Sequence, residues 1–432
     1  MYWQKDIETM PREDLEKLQL ERLRRTAEIA SRSPFYGQRF REAGFRPQSL
    51  RSLDDLRRIP FTTKEDLRSG FPYRFLCVDL DRCVRLHSSS GTTGRITVIF
   101  HTRKDIDSWT ELLSRSMYAT GMRTSDVFQN MMSYGLFTGG LGFHYGAERL
   151  GALVLPTAAG NSKRQVFFMK NLGTTVIHII PSYALSLLNT FAEEGVDPKE
   201  DGKLRIAFLG AEPHSEATRR KVEEAYGLDA FNSYGLSEMN GPGVAFECTE
   251  KAGMHVWEDA YILEVIDPAT GEPVPDGEEG ELVFTNLTRE GMPLLRYRSR
   301  DLASVYPEPC LCGRTHRRIS RIKGRVDDMF VIKGVNVFPI QVETALMEIP
   351  EVGNNFVIVL ERTDRGDQMM VKVEVSPSSF NGDVRSLTDL QERIRRRLRS
   401  EILVTPKVEL LEPRSLPATE GKAVRVRDNR EL

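Results

Sequence analysis

The chain has 432 residues, 40% hydrophobic and 28% charged, with a formal net charge of −2. That length predicts two to four domains and at least one large core, and the near-neutral balance gives no basis for nucleic-acid or membrane-surface binding. Five cysteines, an odd number spread over a long chain, argue against a disulfide framework and point to a reducing compartment, the cytoplasm.

The N-terminus is charged from Lys5 and carries no apolar run, so it does not read as a signal peptide. Residues 12–31 place Leu15, Leu18, Leu23, Ala27 and Ala30 near helical spacing, which predicts an amphipathic helix. From about Arg82 to Phe231, short apolar runs alternate with helical patterns. "VRLHS" and "ITVIF" read as strands flanking a loop, "DSWTELLSRSMYAT" as a helix, and "ALVLP", "TTVIHII" and "RIAFLG" as buried strands. "SEATRRKVEEAY" reads as a helix that Ser215 can cap. The stretch around "TTVIHII" is too short for a membrane span and is interrupted by His178 and Pro181. This alternation predicts an α/β core with a largely parallel sheet, whose ligand loops lie at the carboxyl ends of its strands.

After Tyr261 the texture becomes antiparallel: "YILEVID" and "ELVFTN" are joined by a Gly/Pro/Asp-rich connection. Near Asp327 it changes again, to about a hundred residues of mixed helix and strand with enough apolar content for a separate core. Within them "ERIRRRLRSE" is strongly basic, but Leu387, Leu390, Ile394 and Leu398 recur at helical spacing, so a solvated basic face on a packed helix is expected. The predicted organisation is a large α/β body with an antiparallel subdomain, residues 1–326, and a small α+β lid, residues 327–432.

The loop Ser88, Ser89, Ser90, Gly91, Thr92, Thr93, Gly94 follows a strand and offers hydroxyls and close-set amides, the makings of an anion site. It is not a P-loop, because Arg95 replaces the lysine and strand-like residues follow where a helix should. "GAEP", Gly210 to Pro213, ends another buried strand. "YGLSEMNGPG" supplies a ring, a hydroxyl and a carboxylate at Tyr234, Ser237 and Glu238; "RYRSRDL" holds Asp301, "GRVDDMF" holds Arg325 and Asp327, and "GKAVRV" holds Lys422.

With "SYGLFTGGLGFHYGAERLGA" and "PSYAL", these motifs occur in an order that resembles the phenylacetate–CoA ligase family of adenylate-forming enzymes along nearly the whole chain. The resemblance implies activation of a carboxylic acid by MgATP to an acyl adenylate, followed by transfer to coenzyme A. It implies that Ser88 to Gly94 hold the β- and γ-phosphates, that Gly210, Ala211, Glu212 and Pro213 border the adenine with Tyr234 and Gly235, and that Ser237 approaches the α-phosphate. It further implies that Glu238 coordinates Mg²⁺, that Asp301 and Arg325 serve the ribose, and that Lys422 is carried in by a lid turning about Asp327. The segment from Lys333 to Asn336 is implied on the coenzyme A side. Tyr134, Phe137 and Phe143 are implied in an aryl slot, with neighbouring glycines admitting the ring, which suggests an aromatic or arylacetic acid. A homodimer has precedent in the family. Two other readings remain: transfer of the adenylyl or acyl group to a different acceptor, and a nucleotide-binding protein without catalysis.

Each residue also has a plainer reading. Glu238 can be an exposed loop carboxylate, Asp301 an ion-pair partner of Arg298 or Arg300, Asp327 a turn cap, and each aryl-slot aromatic a core residue. Three positions depart from the family pattern: Ile96, Ser237 and His214. Cys248, Cys310 and Cys312, with either His255 or His316, have the composition of a structural zinc site, although C-x-C is tighter than the usual spacing. Cys77 and Cys83 read as core residues.

Overall fold

Helix starts follow the caps that the sequence supplies. Ser33, Thr63, Thr102 and Ser215 each precede a helix and accept the backbone N–H three residues on, from Tyr36, Asp66, Asp105 and Thr218. A computed structural model describes residues 1–89, 96–363, 366–377, 379, 384–417 and 423–430. They fall into two units, neither continuous in sequence.

The first unit comprises residues 1–158, 175–178 and 231–322. Its N-terminal helix, Arg12–Ala30, buries Leu15, Leu23, Ala27 and Ala30. The strands Val127–Asn130, Leu153–Leu155 and Val176–Ile179 pair in parallel, the first lying between the other two. Leu153–Leu155 is half exposed, as an edge strand can be. The strands Cys83–Ser88 and Val98–Thr102 do not join this sheet; they form a separate antiparallel hairpin in which Ser88 faces Val98. The connection between them is too short for the crossover that parallel pairing requires. The expected antiparallel region is present. Asp229–Leu236, Gly241–Glu247, Met254–Val256, Arg318–Ile319, Tyr297–Tyr306, Glu279–Asn286 and Tyr261–Ile266 succeed one another in that spatial order. Trp257, Tyr261, Phe284 and Leu295 lie in the core beneath them.

The second unit comprises residues 159–174, 179–230 and 323–432. It includes the helices Pro181–Glu193 and Glu216–Tyr226 and the buried strand Ile206–Leu209. A short hairpin, Phe330–Ile332 with Val335–Val337, turns through Lys333 and Gly334, both at positive φ, as a tight two-residue hairpin turn demands. The strands Lys407–Leu411, Gly366–Val375, Val352–Thr363 and Val426–Asp428 form a four-stranded sheet in that order. The helices Pro339–Met347 and Val384–Ile402 share its core, with Leu346, Ile358, Val371, Ile394 and Leu398 fully enclosed. Leu390, Ile394 and Leu398 face inward, and the arginines of the basic stretch lie on the other side or pair locally, as Arg395 does with Glu392. Among the described residues, no helix is long and apolar enough to cross a membrane.

If the basic helix is packed in this way, Ile394→Ala should cost about 2–4 kcal/mol by urea unfolding, and Arg395→Ala less than about 0.5 kcal/mol. Similar losses from both would contradict the assignment of the two faces.

Candidate functional site

In the first unit the strand Asp229–Leu236 runs into a 3-10 turn, Ser237–Met239, and returns as Gly241–Glu247. The reversal needs two glycines. A Cβ on Gly235 would lie 1.8 Å from the Gly241 carbonyl oxygen, and Gly241, at φ +91°, would place its own Cβ 2.3 Å from Thr138. Between them Asn240 adopts φ 77°. This tight turn carries Ser237 and Glu238. Ser237 Oγ lies 3.5 Å from Thr138 Oγ1.

Glu238 is not an exposed loop carboxylate. It is 5% exposed, and its Oε1 accepts no hydrogen bond among the described residues. Lys64 Nζ stands 3.8 Å from that oxygen. A buried carboxylate oxygen without a donor is costly, and a hard divalent cation is the partner that would relieve it. The site's donor chemistry therefore fits Mg²⁺, which needs few protein oxygens when phosphates and water complete its shell.

The turn is held from behind by Arg289, which is 1% exposed. Its Nη1 donates to the carbonyls of Glu238 at 2.9 Å and Met292 at 3.1 Å, and its Nε donates to Asn240 Oδ1 at 2.8 Å. Burial lowers the guanidinium's pKa, and Asp105 opposes the shift. Asp105 in turn accepts the amides of Glu290 at 2.7 Å and Gly291 at 3.0 Å, and that of Thr102 at 2.9 Å. The loop after Asn286 is thus pinned at one end to Asp105, in the first turn of the helix Arg103–Ala119 that follows the hairpin, and at the other to the Glu238 turn.

Tyr234 donates its hydroxyl to Asp301 Oδ2 at 2.6 Å, and both residues are buried. Arg298 and Arg300, the plainer partners considered for Asp301, instead meet Glu281 at 2.5 and 3.4 Å. A β-bulge in the pairing of Glu279–Asn286 with Tyr297–Tyr306 lies beside Asp301, with Arg300 at φ 67°.

Of the anion loop, Ser88 and Ser89 are described; Ser90, Gly91, Thr92, Thr93 and Gly94 lie outside the described residues, as does Lys422. The Ser88 amide donates to the Leu136 carbonyl at 3.0 Å, and Thr97 Oγ1 donates to Ser89 Oγ at 2.9 Å, closing the base of the loop. The aryl-slot residues separate. Phe143 is wholly buried, stacked 3.6 Å from the His178 ring and close to Phe128 and Phe246, so it packs the unit's interior. Tyr134 donates to or accepts from His144 Nδ1 at 3.1 Å and accepts from Asn130 at 3.0 Å, while Phe137 is 48% exposed. Of the glycines expected to admit a substrate ring, Gly142 and Gly146 serve helix packing, whereas a Cβ on Gly135 would meet no described atom within 4 Å. Side chains at Gly142 and Gly146 would run into Trp109 and Leu113, each at 2.5 Å.

In the second unit Gly210 follows the buried strand Ile206–Leu209, and Ala211 holds φ 70°. Glu212 accepts the Ser182 amide at 2.7 Å and the Ala423 amide at 3.3 Å. Arg325 donates to both oxygens of Asp327, at 3.0 and 3.1 Å, across a turn.

Back in the first unit, Cys248, His255, Cys310 and Cys312 bring four donor atoms within 4.8 Å of one another. The Sγ atoms of Cys248 and Cys310 are 3.8 Å apart, and Cys312 Sγ is 3.4 Å from His255 Nε2. A tetrahedral zinc with Zn–S bonds of about 2.3 Å and Zn–N of about 2.0 Å has S···S and S···N edges of about 3.8 and 3.5 Å, so the donor set fits one. His255 Nδ1 lies 3.1 Å from the His316 carbonyl, an orientation that turns Nε2 toward the thiols. His316 is engaged elsewhere: its Nδ1 accepts the Glu258 amide at 2.9 Å and its Nε2 meets the Ile7 carbonyl at 3.0 Å. The choice left open by the sequence therefore falls to His255.

Residues 52–287 match the AMP-binding enzyme family, and residues 334–430 match the AMP-binding enzyme C-terminal domain. The phenylacetate-coenzyme A ligase of Thermus thermophilus is 46% identical, over 98% of this chain and 98% of its own. The chain belongs to the phenylacetate–CoA ligase family of AMP-binding enzymes. The family's Escherichia coli ligase is 40% identical over 99% of this chain and 97% of its own. Among solved structures, 2-hydroxyisobutyryl-CoA ligase in the postadenylation state with 2-HIB-AMP matches with a TM-score of 0.94 at 32% identity, covering 99% of this chain and 92% of that one.

Sequence reasoning missed Lys64 and Arg289. Lys64 had a signal, a cation in the first turn of a helix, where the dipole disfavours it. Arg289 had none, since only the fold brings its partners together. Arg289→Met should lower unfolding stability by about 3–5 kcal/mol in urea, because it leaves three buried acceptors without their donor. A loss below about 1 kcal/mol would mean that the guanidinium does not hold the turn.

Proposed function

We propose that the protein is an AMP-forming acid–CoA ligase that activates an aromatic or arylacetic acid with MgATP and passes the acyl group to coenzyme A. The observation that carries the reading is the buried carboxylate of Glu238, whose Oε1 accepts no hydrogen bond among the described residues, near Lys64 and Arg289 and on a turn that carries Ser237 and follows the strand of Tyr234, which bonds Asp301.

A carboxylate is a poor acyl donor, because its carbonyl is resonance-stabilised and oxide is its leaving group. In the first half-reaction its oxygen attacks the α-phosphorus and pyrophosphate departs, giving a mixed anhydride with AMP as a good leaving group. Charge builds on the phosphates, so a site for this step needs fixed cations and oriented donors. The loop from Ser88 to Gly94 supplies hydroxyls and amides for the β- and γ-phosphates, Ser237 a hydroxyl for the α-phosphate, and Glu238 the anchor for the cation. Mg²⁺, when bound, neutralises phosphate charge and favours departure of pyrophosphate. Tyr234, with Gly235 and the segment from Gly210 to Pro213, borders the adenine; Asp301 and Arg325 serve the ribose hydroxyls. The Tyr234 hydroxyl on Oδ2 fixes the plane of the Asp301 carboxylate for that task.

Lys422 supplies a further cation at the α-phosphate, carried by a lid of residues 327–432 that turns about Asp327. With Lys422 withdrawn, the thiol of coenzyme A attacks the acyl carbonyl and AMP leaves; the Lys333–Asn336 turn lies on the thiol side. Tyr134 and Phe137 retain surface with which to meet the acid, as Phe143 does not.

Phenylacetate, benzoate and 2-hydroxyisobutyrate should be compared for coenzyme A-dependent AMP release, and the arylacetic acid should turn over best. AMP release that needs an acid but ignores coenzyme A would overturn the thioester assignment. Lys422→Ala should slow adenylate formation at least about 100-fold yet leave thioester formation from supplied acyl adenylate within about twofold. Equal loss in both half-reactions would sink the lid role.

We also infer that Cys248, His255, Cys310 and Cys312 hold a structural zinc. Metal analysis of the purified protein should give one zinc per chain, and Cys312→Ser should lose it and lower the thermal midpoint. Full stability after exhaustive chelation would count against the site.

A further inference from the structure

Glu343 lies on the helix Pro339–Met347 and is 8% exposed. Its Oε1 accepts two hydrogen bonds from another element, the start of the helix Glu216–Tyr226. The Ser215 amide donates at 3.0 Å and the Thr218 hydroxyl at 2.7 Å. Ser215 is that helix's own cap, its hydroxyl accepting the Thr218 amide at 3.1 Å. A carboxylate from the C-terminal segment therefore completes the cap, at the helix end where the dipole favours negative charge.

Other contacts follow the same line. Lys221 Nζ meets Met347 Sδ at 3.7 Å, and Ala217 packs against the C-terminal core. Burial pushes the Glu343 carboxyl above its usual range; Thr218 and Ser215 draw it back, Arg425 also lowers it and Glu212 raises it. A buried acid in this position is stable only while its donors stay in place, so the contact is made or broken as a whole rather than sliding.

The same unit also fixes residues 423–428. The Ala423 amide donates to Glu212 of the GAEP segment, and Val426–Asp428 pairs in parallel with Val352–Thr363. Glu343 thus caps the helix in the arrangement that bonds the residue after Lys422 to the segment assigned to the adenine.

We propose that Glu343 is a positioning residue for adenylate formation: it latches the C-terminal segment to the helix Glu216–Tyr226, keeps Ala423, the residue after Lys422, at GAEP, and must let go before thioester formation. The proposal rests on the two-step reading and the mobile lid given above.

The test uses the full chain and measures two half-reactions: pyrophosphate release without coenzyme A, and thioester formation from supplied acyl adenylate. Hydrogen exchange of the amides at 215–219 is followed alongside as a readout independent of activity. Glu343→Ala should slow adenylate formation about tenfold, leave thioester formation within about twofold, and speed exchange at 215–219 about tenfold. Glu343→Gln, which keeps an acceptor, should recover at least about half of the adenylation rate, and Thr218→Val should lose about threefold in that step with no further loss when added to Glu343→Ala. Equal loss in both half-reactions, or unchanged adenylation in Glu343→Ala, would overturn the latch. If Glu343→Ala does not fold, Thr218→Val decides, and an unchanged adenylation rate in it would overturn the proposal. If the unaltered chain forms no adenylate, the functional reading fails instead, and exchange at 215–219 still decides whether Glu343 holds the helix: faster exchange supports the latch, and unchanged exchange overturns it.

Discussion

The guanidinium of Arg289 is buried and hydrogen-bonded to the Asn240 side chain and to the carbonyls of Glu238 and Met292, while Asp105 grips the amides of the next two residues. One short loop therefore fixes two distant stretches relative to each other: the hairpin whose loop is assigned to the phosphate tail, and the turn that presents Ser237 and Glu238. A site for a polyanion needs donors and cations at set distances before the anion arrives, because groups that must first be ordered lose much of what they contribute. Arg289 meets that need with a charge that water cannot screen.

This also accounts for the missing lysine in the loop proposed to hold the phosphates. A P-loop carries its cation in the loop itself. In this chain the loop keeps only amides and hydroxyls, and Lys64, Arg289 and the carboxylate that would anchor a divalent ion come from elsewhere in the first unit. Dividing the charge among separate elements leaves room for a further cation to act in one half-reaction and not the other, the role proposed for Lys422.

Much of this was legible in the sequence where the cause is local. The Ser215 cap marked the start of its helix, and the Leu390/Ile394/Leu398 stripe predicted the packed face of the basic helix. The reading fell short where tertiary packing decides. Gly142 and Gly146, among the glycines of the expected aryl segment, accommodate Trp109 and Leu113, and Phe143 packs against His178. Arg289 and Glu343 meet partners far away in the chain, so no spacing rule reveals them, and Lys64 was marked only by its place in the first turn of a helix. The choice between His255 and His316 required seeing that both nitrogens of His316 are already engaged.

The proposed role of Glu238, whose buried Oε1 accepts no hydrogen bond among the described residues, is to anchor a divalent cation on ATP. Titrating Mg²⁺ in the adenylation half-reaction of Glu238→Gln, with urea unfolding of the same protein, tests it most directly. The variant should need at least about tenfold more Mg²⁺ and be no less stable than the parent, since the buried charge it removes carries a desolvation cost. An unchanged Mg²⁺ requirement, or a large loss of stability, would show that Glu238 is a structural acid and contradict the account.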